Sequence, residues 1–255
     1  MDKIAPFLGS LDPFRVVFAL ACVFGAAIVR GYSGFGFSLL TITALSLVFR
    51  LAEVVPAIFM LEIAASLHLM PGIWRDIQWR SLGPLVLGCT FATPFGVAVM
   101  AHAPVAPLQL GLAAFVMIAT ILMWHGFALK RAPGPAAALA TGSAAGFANG
   151  AIGIGGPPVI LFYFSSPAGA LAGRASLIAF FFVTDAIGLL FQTRAGLITG
   201  QAILLAALFL PALLAGVWLG SRSFKTANPD AFRRWILILL MAMAVVIALK
   251  AIASL

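Results

Sequence analysis

The chain has 255 residues, of which 63% are apolar and only 9% are charged, and its formal net charge is +8. A mean hydropathy of +1.15 excludes an ordinary soluble domain, in which about a quarter of the residues are charged. The basic residues are scattered between apolar runs, which is typical of membrane-protein loops and not of a nucleic-acid-binding patch. The composition therefore predicts an all-α polytopic protein of the lipid bilayer, without a nucleic-acid partner.

Charges and Pro/Gly breaks divide the chain into ten apolar segments, five in each half. In chain order these segments cover residues 14–30, 34–49, 53–73, 82–101, 107–126, 136–149, 154–164, 173–193, 197–221 and 231–252. The basic stretch KRAPGP separates the two halves. We expect a first membrane repeat at 1–129, an inter-repeat loop at 130–135 and a second membrane repeat at 136–255. The N-terminus lacks the basic start and cleavage site of a signal peptide, so we expect it to remain in the mature protein.

Two glycine-rich stretches have the same spacing in the two halves. The sequence GYSGFG at 31–36 is repeated as GAIGIG at 150–155, an offset of 119, and Gly96-Val97 is matched by Gly216-Val217 at an offset of 120. A nearly constant offset predicts an internal duplication.

Two of the apolar segments in each half are too short to cross a bilayer. Only 14 residues lie between Arg15 and Arg30, and they reach ~21 Å against a hydrocarbon core of ~30 Å. Each short segment is either part of a re-entrant hairpin or one of two tilted helices broken at the glycines. A hairpin leaves three crossings in each half and full helices give five. Both numbers are odd, so the two copies must lie in opposite orientations, as in the inverted repeats of secondary transporters.

The basic residues are unequally distributed between the two sides of the predicted bundle. Ten lie on one side: Arg30, Arg75, Arg80, Lys130, Arg131, Arg174, Arg222, Lys225, Arg233 and Arg234. Five lie on the other side, with both termini: Lys3, Arg15, Arg50, Arg194 and Lys250. The positive-inside rule predicts a multi-pass protein of the cell (inner) membrane with both termini outside the cytoplasm. The margin falls to eight against five if Arg30 and Arg174 belong to the pore.

The glycine stretches place irregular backbone at membrane depth, where it survives only if it is buried in protein or lines a wet cavity. Pro157 and Pro158 suit the first turn of a helix, so we expect one helix to begin near Pro157 and its counterpart near Phe37-Ser38. The amino-terminal ends of both helices would then form a site for an anion. The alternative is that the glycines only permit close helix packing, which fits Gly83, Gly88, Gly111 and Gly216.

These residues carry a resemblance to a known family. The stretches GYSGFGFSLL and GFANGAIGIGGPPVILFYF, each near the start of one half of a basic chain, resemble the TauE/SafE sulfite exporter family of membrane transporters. The first stretch departs from a glycine-richer form by carrying Phe35 and Phe37. The resemblance covers essentially the whole chain and implies transport of sulfite, sulfoacetate, other organosulfonates or thiosulfate, and export is implied by the family name.

Two arginines adjoin the glycine stretches and are candidate ligands of a small anionic substrate. The guanidinium of Arg30 or Arg174 can hold a sulfonate through two parallel N–H donors, whereas the alternative is that each arginine extends to the lipid headgroups. We predict that Arg30→Ala and Arg174→Ala each abolish transport. The full set of predicted substrate-binding residues is Arg30, Tyr32, Ser33, Gly34, Gly36, Asn149, Gly153, Gly155, Gly156, Pro157 and Arg174.

Glu62 and Asp185 are the two acidic residues well inside apolar segments. A buried carboxyl group in a bilayer is a functional candidate, so these two are possible proton-coupling residues, and an ion pair with Arg30 or Arg174 is the alternative. His68, His102 and His125 have no metal-site spacing, and we predict neither a metal nor a cofactor.

Other functional classes compete with a transporter. Gly31-Tyr32-Ser33-Gly34 matches the Gly-x-Ser-Gly sequence of rhomboid-like serine proteases, but such a serine needs a histidine base, and the histidines lie near segment ends and not in the middle of a predicted helix. We therefore predict no enzyme activity. A passive anion channel also uses broken helices and fixed positive charge, and an importer of thiosulfate-like or sulfate-like anions would share these features.

Overall fold

A computed structural model describes residues 12–45, 49, 51–102, 104–125, 134–164, 169–223 and 229–253. Every regular element in these residues is helical, which confirms the predicted all-α class. Two short 3-10 helices, Met70–Gly72 and Trp74–Asp76, follow the third α-helix. The α-helices are α1 (Pro13–Ser33), α2 (Phe37–Leu45), α3 (Leu51–Leu69), α4 (Trp79–His102), α5 (Val105–Trp124), α6 (Pro135–Ile152), α7 (Gly156–Phe164), α8 (Gly169–Arg194), α9 (Gly200–Ser223) and α10 (Pro229–Ala253).

Parts of the predicted organisation fall outside the described residues. Of the predicted inter-repeat loop at 130–135, only Gly134 and Pro135 are described, and Pro135 already begins α6. The predicted loop charges outside the described residues are Lys3, Arg50, Lys130, Arg131 and Lys225. The division into two membrane repeats therefore stays a prediction.

Five helices in the described part are long and apolar enough to cross a membrane. These stretches are Pro13–Ser33, Val54–Gly72, Trp79–His102, Leu171–Arg194 and Gly200–Ser223. In an apolar 18-residue stretch of α3 and in one of α8, 61% of the residues are buried inside the protein. The corresponding share is 33% to 39% in α1, α4 and α9. The helices α3 and α8 are thus the inner pair, and they pack against each other.

Helix α1 is longer than the sequence analysis predicted. It continues past Arg30 to Ser33 and contains 21 residues, or about 31 Å at 1.5 Å per residue. The charge does not end the helix because the Arg30 side chain is fully buried and pairs with Glu62. The short helices are α2 and α7, with nine residues each, so the described part of each half contains one short helix and not two.

Two pairs of helices make close backbone contact, α1 with α9 and α4 with α6. A Cβ atom at Gly216 would lie 2.6 Å from the carbonyl oxygen of Phe24, and one at Gly220 would collide with that of Ile28. The contacts advance in the same direction along both helices, so α1 and α9 are parallel. The same holds for α4 and α6, where Leu85 meets Gly142 and Cys89 meets Gly146.

Close packing accounts for only some of the glycines to which it was assigned. Gly88 and Gly216 lie against the backbone of a neighbouring helix, as that interpretation requires. For Gly83 and Gly111, no atom of the described residues lies within 4 Å of an added Cβ. Close packing with the described residues therefore does not explain Gly83 or Gly111.

Candidate functional site

Two helix breaks with the same backbone conformation define the candidate site. Helix α1 ends at Gly34, which has φ 80° and ψ 6°, and the Gly34 N–H donates to the carbonyl of Arg30. Helix α6 ends at Gly153, with φ 74° and ψ 15°, and the Gly153 N–H donates to the carbonyl of Asn149. Glycine adopts this left-handed conformation without the steric cost of a Cβ atom. The next helices begin at Phe37 and at Gly156, within a residue of the two predicted starts.

Arg30 lies inside the protein at the first break. Its side chain has no exposed surface, and its Nε lies 3.0 Å from Oε2 of Glu62. Its Nη2 donates to Oγ of Ser66 at 2.8 Å, and its Nη1 donates to the carbonyl of Gly34. The guanidinium carbon also lies 5.0 Å from the centre of the Phe181 ring, on the opposite inner helix. Arg30 therefore does not extend to the headgroups, and the alternative interpretation was wrong for this residue.

The carboxylate of Glu62 occupies the amino-terminal end of α2. Its Oε1 accepts the Ser38 backbone N–H at 3.2 Å and the Ser38 hydroxyl at 2.6 Å, while Oε2 faces Arg30. The Glu62 side chain is only 2% exposed. This helix end was predicted to bind an anion, and a carboxylate of the chain itself lies there. The ion pair with Arg30 that the sequence left open is also present.

The second break has a neutral partner in place of the arginine. Nδ2 of Asn149 donates to Oδ1 of Asp185 at 3.1 Å. Asp185 is 1% exposed, and its other oxygen has no hydrogen-bond partner among the described residues. The spacing from Asn149 to Asp185 is 36 residues, the same as from Arg30 to Ser66. The two pairs would thus be equivalent under the predicted repeat, although their chemistry differs.

Arg174 crosses from the second half to the carboxyl-terminal end of α1. Its Nε donates to the Tyr32 carbonyl at 2.9 Å, and its Nη2 donates to the carbonyl of Gly31. The side chain is 6% exposed, so Arg174 does not extend to the headgroups either. A Cβ atom at Gly34 would lie 2.8 Å from Cγ of Arg174. The guanidinium satisfies carbonyl groups that the end of a helix leaves unpaired.

A small cavity lies between the two breaks. Its volume of about 10 Å³ leaves room for about one water molecule. Four predicted substrate-binding residues line it, together with the possible coupling residue Glu62. The lining residues are Gly36, Ser38, Leu39, Glu62, Ile154, Gly155, Gly156, Pro157, Ile160 and Phe181. The other predicted binding residues do not line it: Arg30, Tyr32, Ser33, Gly34, Asn149, Gly153 and Arg174.

Comparison with known proteins places the chain in a family. The sequence profile of the family described as sulfite exporter TauE/SafE matches residues 19–247. The chain belongs to this family. It is also similar to the probable sulfite/organosulfonate exporter TauE of Cupriavidus necator, with 25% identity over 190 residues that cover 72% of this chain and 73% of that protein. No solved structure matches the chain.

Membership in the TauE/SafE family, together with the five apolar helices, identifies an integral membrane protein of a transporter family. The serine of the protease-like sequence is hydrogen-bonded to the backbone on both sides of the first break. The Ser33 hydroxyl is buried, lies 2.7 Å from the Val29 carbonyl and accepts the Phe35 N–H at 3.2 Å. The three histidines are all exposed, so none of them shares the buried environment of Ser33.

Three side chains at this candidate site were missing from the predicted set, namely Ser38, Ser66 and Phe181. Ser38 had a signal, because it lies at a helix start that the sequence predicted and serine is favoured at helix amino termini. Ser66 lies 119 residues before Asp185, so the repeat offset also pointed to it. Phe181 is 119 residues after Glu62, but an aromatic residue in an apolar segment carries no distinct signal.

Proposed function

We propose that this chain is a secondary transporter that exports small sulfur-containing anions, either sulfite or an organosulfonate such as sulfoacetate. Family membership and the printed name of the Cupriavidus necator relative support this class of substrate. The observation that carries the proposal is the guanidinium of Arg30, which is fully buried in a helix long enough to cross the membrane. A charged group in the membrane interior is costly and marks a substrate or ion pathway.

The anion binds between the two helix breaks in this proposal. Arg30 supplies a planar fork of N–H donors, and the amino-terminal end of α2 supplies the Ser38 N–H and hydroxyl. Both groups already hold a carboxylate in the structure. The glycines at 155 and 156 line the opposite side of the cavity, where the absence of side chains leaves the backbone accessible.

Alternating access is supported by the size of the cavity. A sulfonate group, with a sulfur and three oxygen atoms, is larger than the single water molecule for which the cavity has room. Binding therefore requires the short helices α2 and α7 to move relative to the inner pair α3 and α8. A preformed open pore would not require this movement, and this distinction favours a transporter over a channel.

The inverted repeat is supported by the directions of the helices. Arg174, near the start of α8, contacts the end of α1, and Ser176 of α8 accepts the Gln78 N–H at the start of α4 at 2.9 Å. Helix α1 thus ends at the level where α4 begins, which makes these two helices antiparallel. Because α4 is parallel to α6, the helix α1 is also antiparallel to α6, its counterpart in the second repeat.

We also propose a cell (inner) membrane location with both termini outside the cytoplasm. Because Arg30 and Arg174 are buried, we leave them out of the count of basic loop residues. Eight basic residues then remain on one side of the bundle and five on the side of the termini. The larger number belongs in the cytoplasm under the positive-inside rule. Reporter fusions that fluoresce only in the cytoplasm, placed at either terminus, test this orientation and should remain dark.

The proposed function is tested with inside-out membrane vesicles and labelled sulfite or sulfoacetate. Export predicts accumulation of the label inside these vesicles, saturation with substrate concentration, and no accumulation with the Arg30→Ala variant. Sulfate and thiosulfate serve as competitors, and they test whether the site accepts the anions of the importer alternative. A flux that rises linearly with concentration and shows no exchange between labelled and unlabelled anion would instead identify a channel.

A further inference from the structure

The Glu62 carboxylate has the contacts expected of a bound substrate. We propose that Glu62 is a tethered anion that occupies the binding site at rest and that the transported anion displaces it. This inference rests on the proposed function, because it assigns Arg30 and the amino-terminal end of α2 to the substrate. It adds a role for Glu62 as a competitor of the substrate, in place of proton coupling or fold stabilisation.

The donors around Glu62 form a recognition set for an oxyanion. One carboxylate oxygen receives a backbone N–H and a hydroxyl from Ser38, at 3.2 and 2.6 Å, and the other lies 3.0 Å from Nε of Arg30. A helix amino terminus, a hydroxyl group and a guanidinium are the groups that proteins use for sulfonate and phosphate oxygens. The side chain of Glu62 reaches this set from α3, one helix further along the chain.

The site cannot hold Glu62 and a second anion together. The cavity beside Glu62 has room for about one water molecule, and Glu62 itself forms part of its lining. Two negative charges beside one guanidinium also repel each other strongly in a medium of low dielectric constant. A sulfonate therefore reaches Arg30 and Ser38 only when the carboxylate of Glu62 moves away.

The contact between Glu62 and Arg30 is suited to exchange. Nε of Arg30 and Oε2 of Glu62 are 3.0 Å apart, but neither atom forms an aligned hydrogen bond within the described residues. The pair is thus held by charge and not by the paired, parallel hydrogen bonds of an ideal arginine–carboxylate contact. A sulfonate that makes the aligned contact has an advantage over the carboxylate it replaces.

The second half contributes no competing anion to the cavity, because its buried carboxylate, Asp185, bonds to Asn149 and is not among the lining residues. The residue 119 positions after Glu62 is Phe181, whose ring lines the same cavity and faces the Arg30 guanidinium. Phe181 has no charge, so the second half contributes no second competitor at this position. Removal of the Glu62 charge should therefore be sufficient to release the site.

The test is the affinity of purified protein in detergent for sulfoacetate, measured by isothermal titration calorimetry. Glu62→Gln removes the competing charge but keeps the size of the side chain, and we expect Kd to fall by about tenfold or more, as for one charge-assisted hydrogen bond. Asp76→Asn is the matched control, because it removes a half-buried carboxylate outside the cavity and should leave Kd unchanged.

A second variant covers the case in which Glu62→Gln does not fold. Glu62→Asp keeps the charge but withdraws it from Ser38 by one methylene group, and we expect a Kd between those of the wild type and Glu62→Gln. A Kd for either folded variant equal to or higher than the wild-type value overturns the displacement mechanism. If the wild type itself neither binds nor transports any sulfur anion tested, the proposed function fails, and this result is distinct from a change limited to Glu62.

Discussion

The two helix breaks have the same backbone conformation but differ in the chemistry of their side chains. Both place a glycine in the left-handed conformation, and both are followed by a helix of nine residues. The side chains at equivalent positions, each pair 119 residues apart, are Arg30 and Asn149, Val55 and Arg174, Glu62 and Phe181, and Ser66 and Asp185. Three of these four charged side chains lie at the first break, since Arg174 also reaches over to it, and only Asp185 lies at the second.

This difference indicates a division of labour between the two halves. At the first break, the Ser38 N–H at the start of α2 is available to an anion and holds Glu62. At the second break, Pro157 and Pro158 have no N–H to donate, so the start of α7 offers fewer donors than the sequence analysis assumed. We infer that the first break binds the anion and that the second break shapes the cavity.

The largest effect is expected from the Arg30→Ala variant. It removes the buried positive charge, should abolish transport, and leaves Glu62 buried without its partner. Loss of one member of a buried pair costs about 3 to 5 kcal/mol of unfolding free energy. The equivalent Asn149→Ala variant loses one hydrogen bond and should cost about 1 to 3 kcal/mol. Chemical unfolding in detergent and vesicle uptake measure the two consequences separately.

A double variant separates stability from binding at this position. Arg30→Ala with Glu62→Gln should recover part of the stability, because no unpaired charge remains, but should still not transport. Arg30→Lys should restore transport only partly, since an ammonium group lacks the planar fork. Wild-type uptake by any variant without Arg30 would remove this residue from the substrate site.

A smaller loss of unfolding free energy is expected from the Arg174→Ala variant. It removes the hydrogen bonds that Arg174 donates to the Gly31 and Tyr32 carbonyls, which costs about 1 to 3 kcal/mol, and it removes a positive charge beside the first break. We expect insertion to continue and transport to stop. Val55→Ala, at the equivalent position of the other half, should lower stability without stopping transport. Equal transport losses in the two variants would mean that Arg174 acts only through packing.

The two capping glycines test whether the shared backbone matters equally in both halves. Gly34→Ala and Gly153→Ala should each cost at least about 1 to 2 kcal/mol, because the left-handed conformation is strained for alanine. The added Cβ would also lie 2.8 Å from Cγ of Arg174 or 2.7 Å from Cδ1 of Ile42. The matched control is Gly83→Ala, in a helix with no described atom within 4 Å of an added Cβ, which should stabilise by up to about 1 kcal/mol. Thermal unfolding of the three variants measures the contrast.

The smallest effect is expected when Glu62 or Asp185 is neutralised and the voltage dependence of transport is measured. Export of one net negative charge from a cell with a negative interior gains about 2.3 kcal/mol per 100 mV, so transport needs no coupling ion. Glu62→Gln and Asp185→Asn should both retain uptake that accelerates when the vesicle interior is made positive. If transport instead stops when the pH gradient collapses at fixed voltage, and either variant uncouples it, these residues carry protons.

The sequence predicted the backbone of the site better than its side-chain partners. The positions of Gly34 and Gly153 and the start of the helix after each break followed from local rules about glycine and proline. The continuation of α1 past Arg30 did not, because it depends on Glu62, which lies on another helix. Likewise, the contact of Arg174 with Tyr32 joins residues 142 positions apart and depends on how the two halves pack.

The parallel packing of α1 against α9 and of α4 against α6 has a consequence for biosynthesis. Helix α6 leaves the ribosome soon after α4, but α9 follows α1 by more than 160 residues. At about 5 to 20 residues per second, α1 waits on the order of ten to forty seconds for its partner. During that interval the face of α1 that packs on α9 has no partner from α9. We therefore expect truncated chains that end before α9 to be degraded faster than chains that end after it.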